Sequence, residues 1–156
     1  MDDIAKNLGM EASLFQQACD LIHTPDISCV VVKNGQIIHT ADGRGVMPLM
    51  ALYQDDKEKL RHSCVVDRII GKAAAMILAL AGTKAVYGDI LSAAAGAYLS
   101  DRGIPYQYNQ FVDRITDRTG EDMCPIERSV IDIEDPELGL SAIARKMDEL
   151  RNSNTA

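Results

Sequence analysis

The sequence predicts an α/β protein, a three-layer α/β/α sandwich around a mixed sheet, and three observations point there. Asn34-Gly35 separates the apolar runs 29–32 and 37–38. That is the strongest short-range hairpin signal, because both turn residues tolerate positive φ. Further along, helix-like and strand-like stretches alternate, with ten or more residues between the later strands, enough for parallel crossovers. The length of 156 residues fits one domain with its own core. The expected layout is a single domain over 1–156, with an N-terminal helix at 11–22, a core at 27–140, a C-terminal helix at 136–151 and a frayed tail at 152–156.

Each element has its local reason. Phe15, Ala18, Cys19 and Ile22 recur at helical spacing, and Pro25-Asp26 ends that helix. After the hairpin comes the glycine-rich stretch TADGRG at 40–45, and Pro48 then fits the first turn of a helix carrying Leu49, Leu52 and Tyr53 on one face. The charged run 54–61 reads as solvated. Asp67 is expected to begin the clearest helix, with Ile69, Ile70, Ala73, Ala74, Ile77 and Leu80, and Gly82 suits its C′ position. Residues 84–91 read as a strand. Ser92 is the expected N-cap of an alanine-rich helix to Asp101, which Gly103 terminates. A strand at 104–108 follows, then a stretch around Phe111, Val112 and Ile115 without clear pattern, and a turn at Thr119-Gly120. Pro125 opens a short helix, Asp135-Pro136 breaks it, and Leu140, Ile143, Met147 and Leu150 mark a last amphipathic helix. Helices on both faces of a mixed sheet follow from this order.

Composition excludes several classes. Sixteen Lys+Arg against 23 Asp+Glu leave a net charge of −7, and neither half of the chain offers the basic surface that neutralising phosphates requires, so nucleic acid is not expected as a partner. The acidic start Met1-Asp2-Asp3 lacks the plan of a signal peptide. The most apolar stretch, 73–81, is far shorter than the ~20 residues of a membrane span. Four cysteines, at 19, 29, 64 and 124, form no CxxC pair, which excludes a zinc ribbon or thioredoxin motif. A cytoplasmic protein with reduced thiols and no membrane partner is expected.

Three motifs in order carry a resemblance: SCVVVKNGQIIHTADGRGVMPL, then VVDRIIGKAAAMILALAGTKAVYGDILS, then TGEDMCPIE. Together, over residues 27–140, the chain resembles a family of small bacterial and archaeal proteins of unassigned activity, grouped by fold with the cytidine deaminase-like superfamily. The resemblance implies a deaminase-like sandwich and a nucleotide- or nucleoside-like ligand. Zinc deaminases need a His or Cys ligand with a nearby Glu at one helix start and two cysteines at the next. Here the expected starts read Val66-Asp67-Arg68 and Leu91-Ser92-Ala93, with no PCxxC anywhere. The fold without its zinc chemistry is the expectation, with no metal and no cofactor.

Three clusters carry chemistry-bearing residues. In Gly43-Arg44-Gly45, two glycines flank an arginine ahead of a helix start, exposing N–H groups and a guanidinium to an anion, or forming a plain turn with a solvated arginine. Arg68 and Lys72, four apart and next to Asp67, would reach a phosphate or carboxylate from the helix start, or serve as surface charges beside an N-cap. In Met123-Cys124-Pro125-Ile126-Glu127, proline at N1 puts Cys124 at the N-cap, where a helix dipole favours the thiolate. Glu127 falls at N3, as a partner carboxylate or half of a capping box. His39 ends a strand beside the glycine-rich loop, and Ser92 sits where α/β sheets bind ligands. Cys19 and Cys29 read as core, and His23 as exposed beside a turn.

The leading expectation is a zinc-independent protein that binds a small anionic, nucleotide-like metabolite at helix N-termini near Val46, Asp67 and Ser92. Gly43, Arg44, Gly45, Arg68, Lys72, Ser92 and His39 would bind it, and Cys124, Glu127 and Asp67 would supply any catalysis. The competing expectation is a non-catalytic sensor or oligomeric module, a homodimer joined through 11–22 or 140–150. A third reading is a metal enzyme using His39, His62 and Asp67.

Overall fold

Five strands in the order β2-β1-β3-β4-β5 form the centre of the computed structural model, which describes residues 2–155. In chain order the elements are α1 (Asp2–Asn7), α2 (Ala12–Ile22), β1 (Cys29–Lys33), β2 (Gln36–Ala41), α3 (Met47–Asp56), β3 (Cys64–Ile70), α4 (Lys72–Ala81), β4 (Ala85–Ser92), α5 (Ala93–Asp101), β5 (Tyr106–Val112), α6 (Pro125–Val130) and α7 (Pro136–Thr155). Strand β1 runs antiparallel to β2 and β3, while β3, β4 and β5 are parallel. Asn34 and Gly35 take the positive φ angles 54° and 74° that the hairpin turn requires.

The pleat divides the strand residues between two cores. Val31, Val65 and Val86 pack under α3–α7, and Val30, Val32, Val66 and Tyr87 pack under α1 and α2. The mixed α/β/α sandwich is therefore as the sequence predicts. In the second core Phe15 of α2 meets Tyr87 edge-on, with ring centroids 4.9 Å apart. No helix among the described residues is long and apolar enough to cross a membrane.

The largest departure from expectation concerns residues 64–71. Asp67 does not start a helix: it lies inside β3, and α4 begins only at Lys72, after Gly71. The run CVVDRII is rich in β-branched residues and buried in the middle of the sheet. There an apolar run carries no period that separates strand from helix. Three smaller differences follow. Helix α1 was not expected, β5 runs to Val112 rather than 108, and α7 continues through 152–155, which were expected to fray; Ala156 lies outside the described residues. Helix α7 lies close over α4 because Gly139 has no side chain: a Cβ there would stand 2.5 Å from the Met76 Cε.

The topology brings one set of groups to one end of the sheet. The C-terminal ends of β2, β3, β4 and β5, the N-terminal end of β1, and the starts of α3, α4 and α5 all lie there.

Candidate functional site

That end of the sheet holds two regions, one on each face. On the α4 face the chain closes its own helix starts. Ser92 caps α5, its Oγ accepting from the Ala95 N–H at 3.1 Å. Glu127 caps α4 from a distance: Oε1 accepts from the Lys72 N–H at 2.7 Å and Oε2 from the Ala73 N–H at 2.8 Å. Gly71 makes room for it, since a Cβ there would lie 2.3 Å from Oε1. Burial raises the Glu127 carboxyl above its ordinary range, and the two N–H donors oppose that shift.

This arrangement corrects the reading of Cys124 and Glu127 as a capping box. The Cys124 side chain makes no cap bond, its N–H donates to the Ile115 carbonyl, and Glu127 faces α4 instead. The nearest reason is geometric: α6 is six residues long, and its start is packed against the start of α4, whose buried N–H groups need an acceptor. Lys72 is likewise engaged. It is 4% exposed, its Nζ donates to the Ile131 carbonyl at 2.9 Å and meets Glu134 at 3.4 Å, and it stands over the Tyr98 ring.

Asp67 is buried on the same face, opposite Cys29 in the β1–β3 register. Burial pushes its carboxyl up to about 7, against hydrogen bonds from the Ile69 N–H and the Cys29 thiol. Burial and the facing Asp67 raise the Cys29 thiol well above its usual range. The loop Gly43-Arg44-Gly45 is exposed at the end of β2, and its glycines have structural grounds. Their φ angles are 148° and 55°, and a Cβ on Gly43 would come 3.0 Å from Pro48.

His39 stands apart, level with Val31 inside the hairpin and half-buried, which with Lys59 lowers its pKa. The metal reading of His39, His62 and Asp67 fails on placement. His62 precedes β3 and Asp67 lies at its middle, about 10 Å along the strand from Cys64. Among the described residues no three His, Cys, Asp or Glu side chains converge as a metal site requires.

On the opposite face, at the ends of β3 and β4, an open cleft of about 420 Å³ is lined by Ile22, His23, Thr24, Pro25, Arg68, Ile69, Asp89 and Ile90. Arg68 dominates it. Nε–H donates to the Ile22 carbonyl at 2.5 Å, and Nη2 donates to the carbonyls of Thr24 and Ile27. The 22–27 connection is thus wound around one guanidinium, which carries more donors than any other side chain. Nη1 has no hydrogen-bond partner, and no buried side-chain nitrogen or oxygen among the described residues lacks one, so Nη1 is open to solvent. Across the cleft, Asp89 Oδ1 accepts from Asn109 Nδ2 at 3.3 Å and Oδ2 faces His23 Nε2 at 3.5 Å. The other ring nitrogen of His23 is bound to the Cys19 carbonyl at 2.7 Å. Another cleft, of about 360 Å³ between Gly82, Arg102 and Pro136, lies at the other end of the strands. Its arginine is already held by the Glu134 carbonyl and the Tyr98 ring.

Sequence reasoning gathers Gly43, Arg44, Gly45, Asp67, Arg68, Lys72 and Ser92 around helix starts and leaves the place of Cys124 and Glu127 open; in the fold Glu127 meets the start of α4. The fold sends Arg68 to the face opposite Lys72, so the two do not share a helix face. His23, Asp89 and Asn109 were missed. The available signal was charge within apolar runs, Arg68 beside Asp67 in CVVDRII and Asp89 in AVYGDIL.

A family model described as TM1506, domain of unknown function (DUF1893), matches residues 17–147. Among solved structures, the chain is similar to a DUF1893 family protein (TM1506) from Thermotoga maritima, at 25% identity and a TM-score of 0.78, over 88% of this chain and 92% of that one. Fainter likeness, at a TM-score of 0.46, extends to RibD of Acinetobacter baumannii (17% identity, 69% of this chain and 36% of that one) and to the dCMP deaminase of cyanophage S-TIM5 (15% identity, 62% and 94%). No activity is read from either. No curated protein matches the chain in sequence.

Proposed function

The chain belongs to the DUF1893 family, and we propose that it binds a small anionic metabolite, nucleotide- or nucleoside-like in outline, in the Arg68 cleft. The observation that carries this reading is the state of Arg68: three carbonyls fix its guanidinium, and Nη1 remains without a partner. A fixed guanidinium loses little side-chain freedom on meeting a phosphate or carboxylate, and Nη1 keeps its N–H donors for it. Ile22, Pro25, Ile69 and Ile90 supply apolar contact for a flat body. The volume is within the ordinary range for small-molecule sites, and the ends of parallel strands are where α/β sheets bind ligands.

The proposal is binding without zinc and without turnover, as in a cytoplasmic sensor. Glu127 is engaged by α4. His23 is held at Nδ1 by the Cys19 carbonyl and turns Nε2 toward Asp89. Thermal shift and calorimetry against nucleobases, nucleosides, nucleoside monophosphates and inorganic phosphate, with and without zinc, test it. A ligand at 100 times its Kd contributes about 2.7 kcal/mol, a rise in Tm of about 5 °C or more. The rise is expected for anionic members, independent of zinc, and lost in Ile69→Glu, a change at a partly exposed position that puts a negative charge in the cleft. No shift from any anion, or a shift that survives Ile69→Glu, overturns the reading.

A further inference from the structure

We infer that the ligand of this cleft carries a cationic or N–H donor group beside its anionic one, as small aminocarboxylates and aminophosphates do. The inference rests on the reading of the cleft given above and narrows its ligand class. Arg68 and Asp89 lie side by side on β3 and β4, between the register pairs Asp67↔Gly88 and Ile69↔Ile90. Neighbouring strands are about 4.8 Å apart, so an arginine and an aspartate so placed would ordinarily form an ion pair. These two do not. Arg68 is turned to the carbonyls of Ile22, Thr24 and Ile27, and Asp89 is turned to Asn109 and His23.

Two opposite charges are thereby held apart, and both line one cleft. Asp89 is only partly exposed, and its carboxylate accepts one bond from Asn109 and one long contact from His23. A carboxylate has about four lone-pair sites, so Asp89 retains acceptor capacity toward the cleft. A plain anion meeting Arg68 is attracted by the guanidinium and repelled by the neighbouring carboxylate. An anion with an ammonium or N–H group a few ångströms away is attracted at both ends. His23 marks the position: its ring, 60% exposed and tethered to the Cys19 carbonyl, already presents an N–H to Asp89 when doubly protonated. A nucleobase bearing an exocyclic amino group meets the same requirement.

Calorimetry on the full chain with matched pairs tests the inference: propionate against β-alanine, and ethyl phosphate against phosphoethanolamine, each on the wild type and on Asp89→Asn. The amine-bearing member is expected to bind the wild type at least tenfold more tightly. In Asp89→Asn that preference should vanish while the plain anion binds more tightly than before. Plain anions binding the wild type as well as their amine-bearing partners would overturn the inference and leave the anion-binding reading standing, as would a preference unchanged in Asp89→Asn. Failure of every anion, on both proteins, would overturn the anion-binding reading itself.

Discussion

Asp67 and Arg68 are adjacent in the chain, yet they belong to regions of opposite character. The pleat sends Asp67 under the α4 face, where it is 4% exposed and faces a thiol. Arg68 goes to the α2 face, where it organises a connection and keeps one nitrogen open. Around Asp67 the polar groups are consumed: Glu127 satisfies α4, Ser92 satisfies α5 and Lys72 satisfies the Ile131 carbonyl. Around Arg68 they are fixed but incompletely consumed. A charged side chain at a strand end is therefore weak evidence for a site until its partners are counted. What distinguishes a binding group is the capacity left after the fold has used it.

The sharpest way to break this contrast is to titrate the closed face. The Asp67 carboxyl titrates near 7 in the folded protein and at 3.8 in its ordinary state. Between those values the folded protein binds more protons than the unfolded chain, so stability falls as pH rises through about 4 to 7. The total is about 4 kcal/mol, at 1.36 kcal/mol per pKa unit. Asp67→Asn should abolish most of that slope and exceed the wild type in stability at pH 8. Glu127, also raised, adds slope of the same sign, so the difference between the two denaturation profiles is the quantity to read. Parallel profiles would show that Asp67 is not the buried acid described.

Next in size is the cap. Glu127→Ala removes two charge-assisted bonds to N–H groups that are buried at the start of α4. A loss of about 3 kcal/mol is expected, a fall in Tm of about 6–12 °C. Anion binding in the cleft should be unchanged once the protein is held well below its new Tm. A weakened ligand response at full folding would join the two regions into one site and undo the contrast.

The sheet end was legible in the sequence, and the division of its faces was not. Asn34-Gly35, Ser92 and Pro125 announce a hairpin and two helix starts because each acts through its nearest neighbours. The course of 64–71 was hidden because a central strand buried on both sides reads as a plain apolar run, and the alanines that follow pull the helix forward. With Asp67 as an N-cap, Arg68 and Lys72 fall on one helix face by spacing alone. In a strand followed by a glycine they part. Glu127 capping a helix 55 residues away has no local signature, since nothing near residue 127 distinguishes it from a capping box for its own helix. Asp89 and Asn109 meet through the pairing of β4 with β5, and His23 joins them through the packing of α2 on the sheet. Read singly, His23 is a polar residue at a helix end and Asp89 and Asn109 are polar residues within strands.

The finest test of the contrast is Arg68→Lys, which keeps the charge and removes the fork. One ammonium on a flexible stem cannot reproduce Nε–H and Nη2 reaching three carbonyls while another nitrogen stays free. On the structural side, a loss of about 1–2 kcal/mol is expected, with faster proteolysis within 22–27 as the carbonyls of Ile22, Thr24 and Ile27 lose a common partner. On the binding side, the lysine must choose between those carbonyls and the ligand, so anion affinity should drop about tenfold or more even where the fold is intact. The reverse pattern, full anion affinity with a loosened connection, would mean that charge alone attracts the ligand and that the fixed geometry of Arg68 serves only the loop.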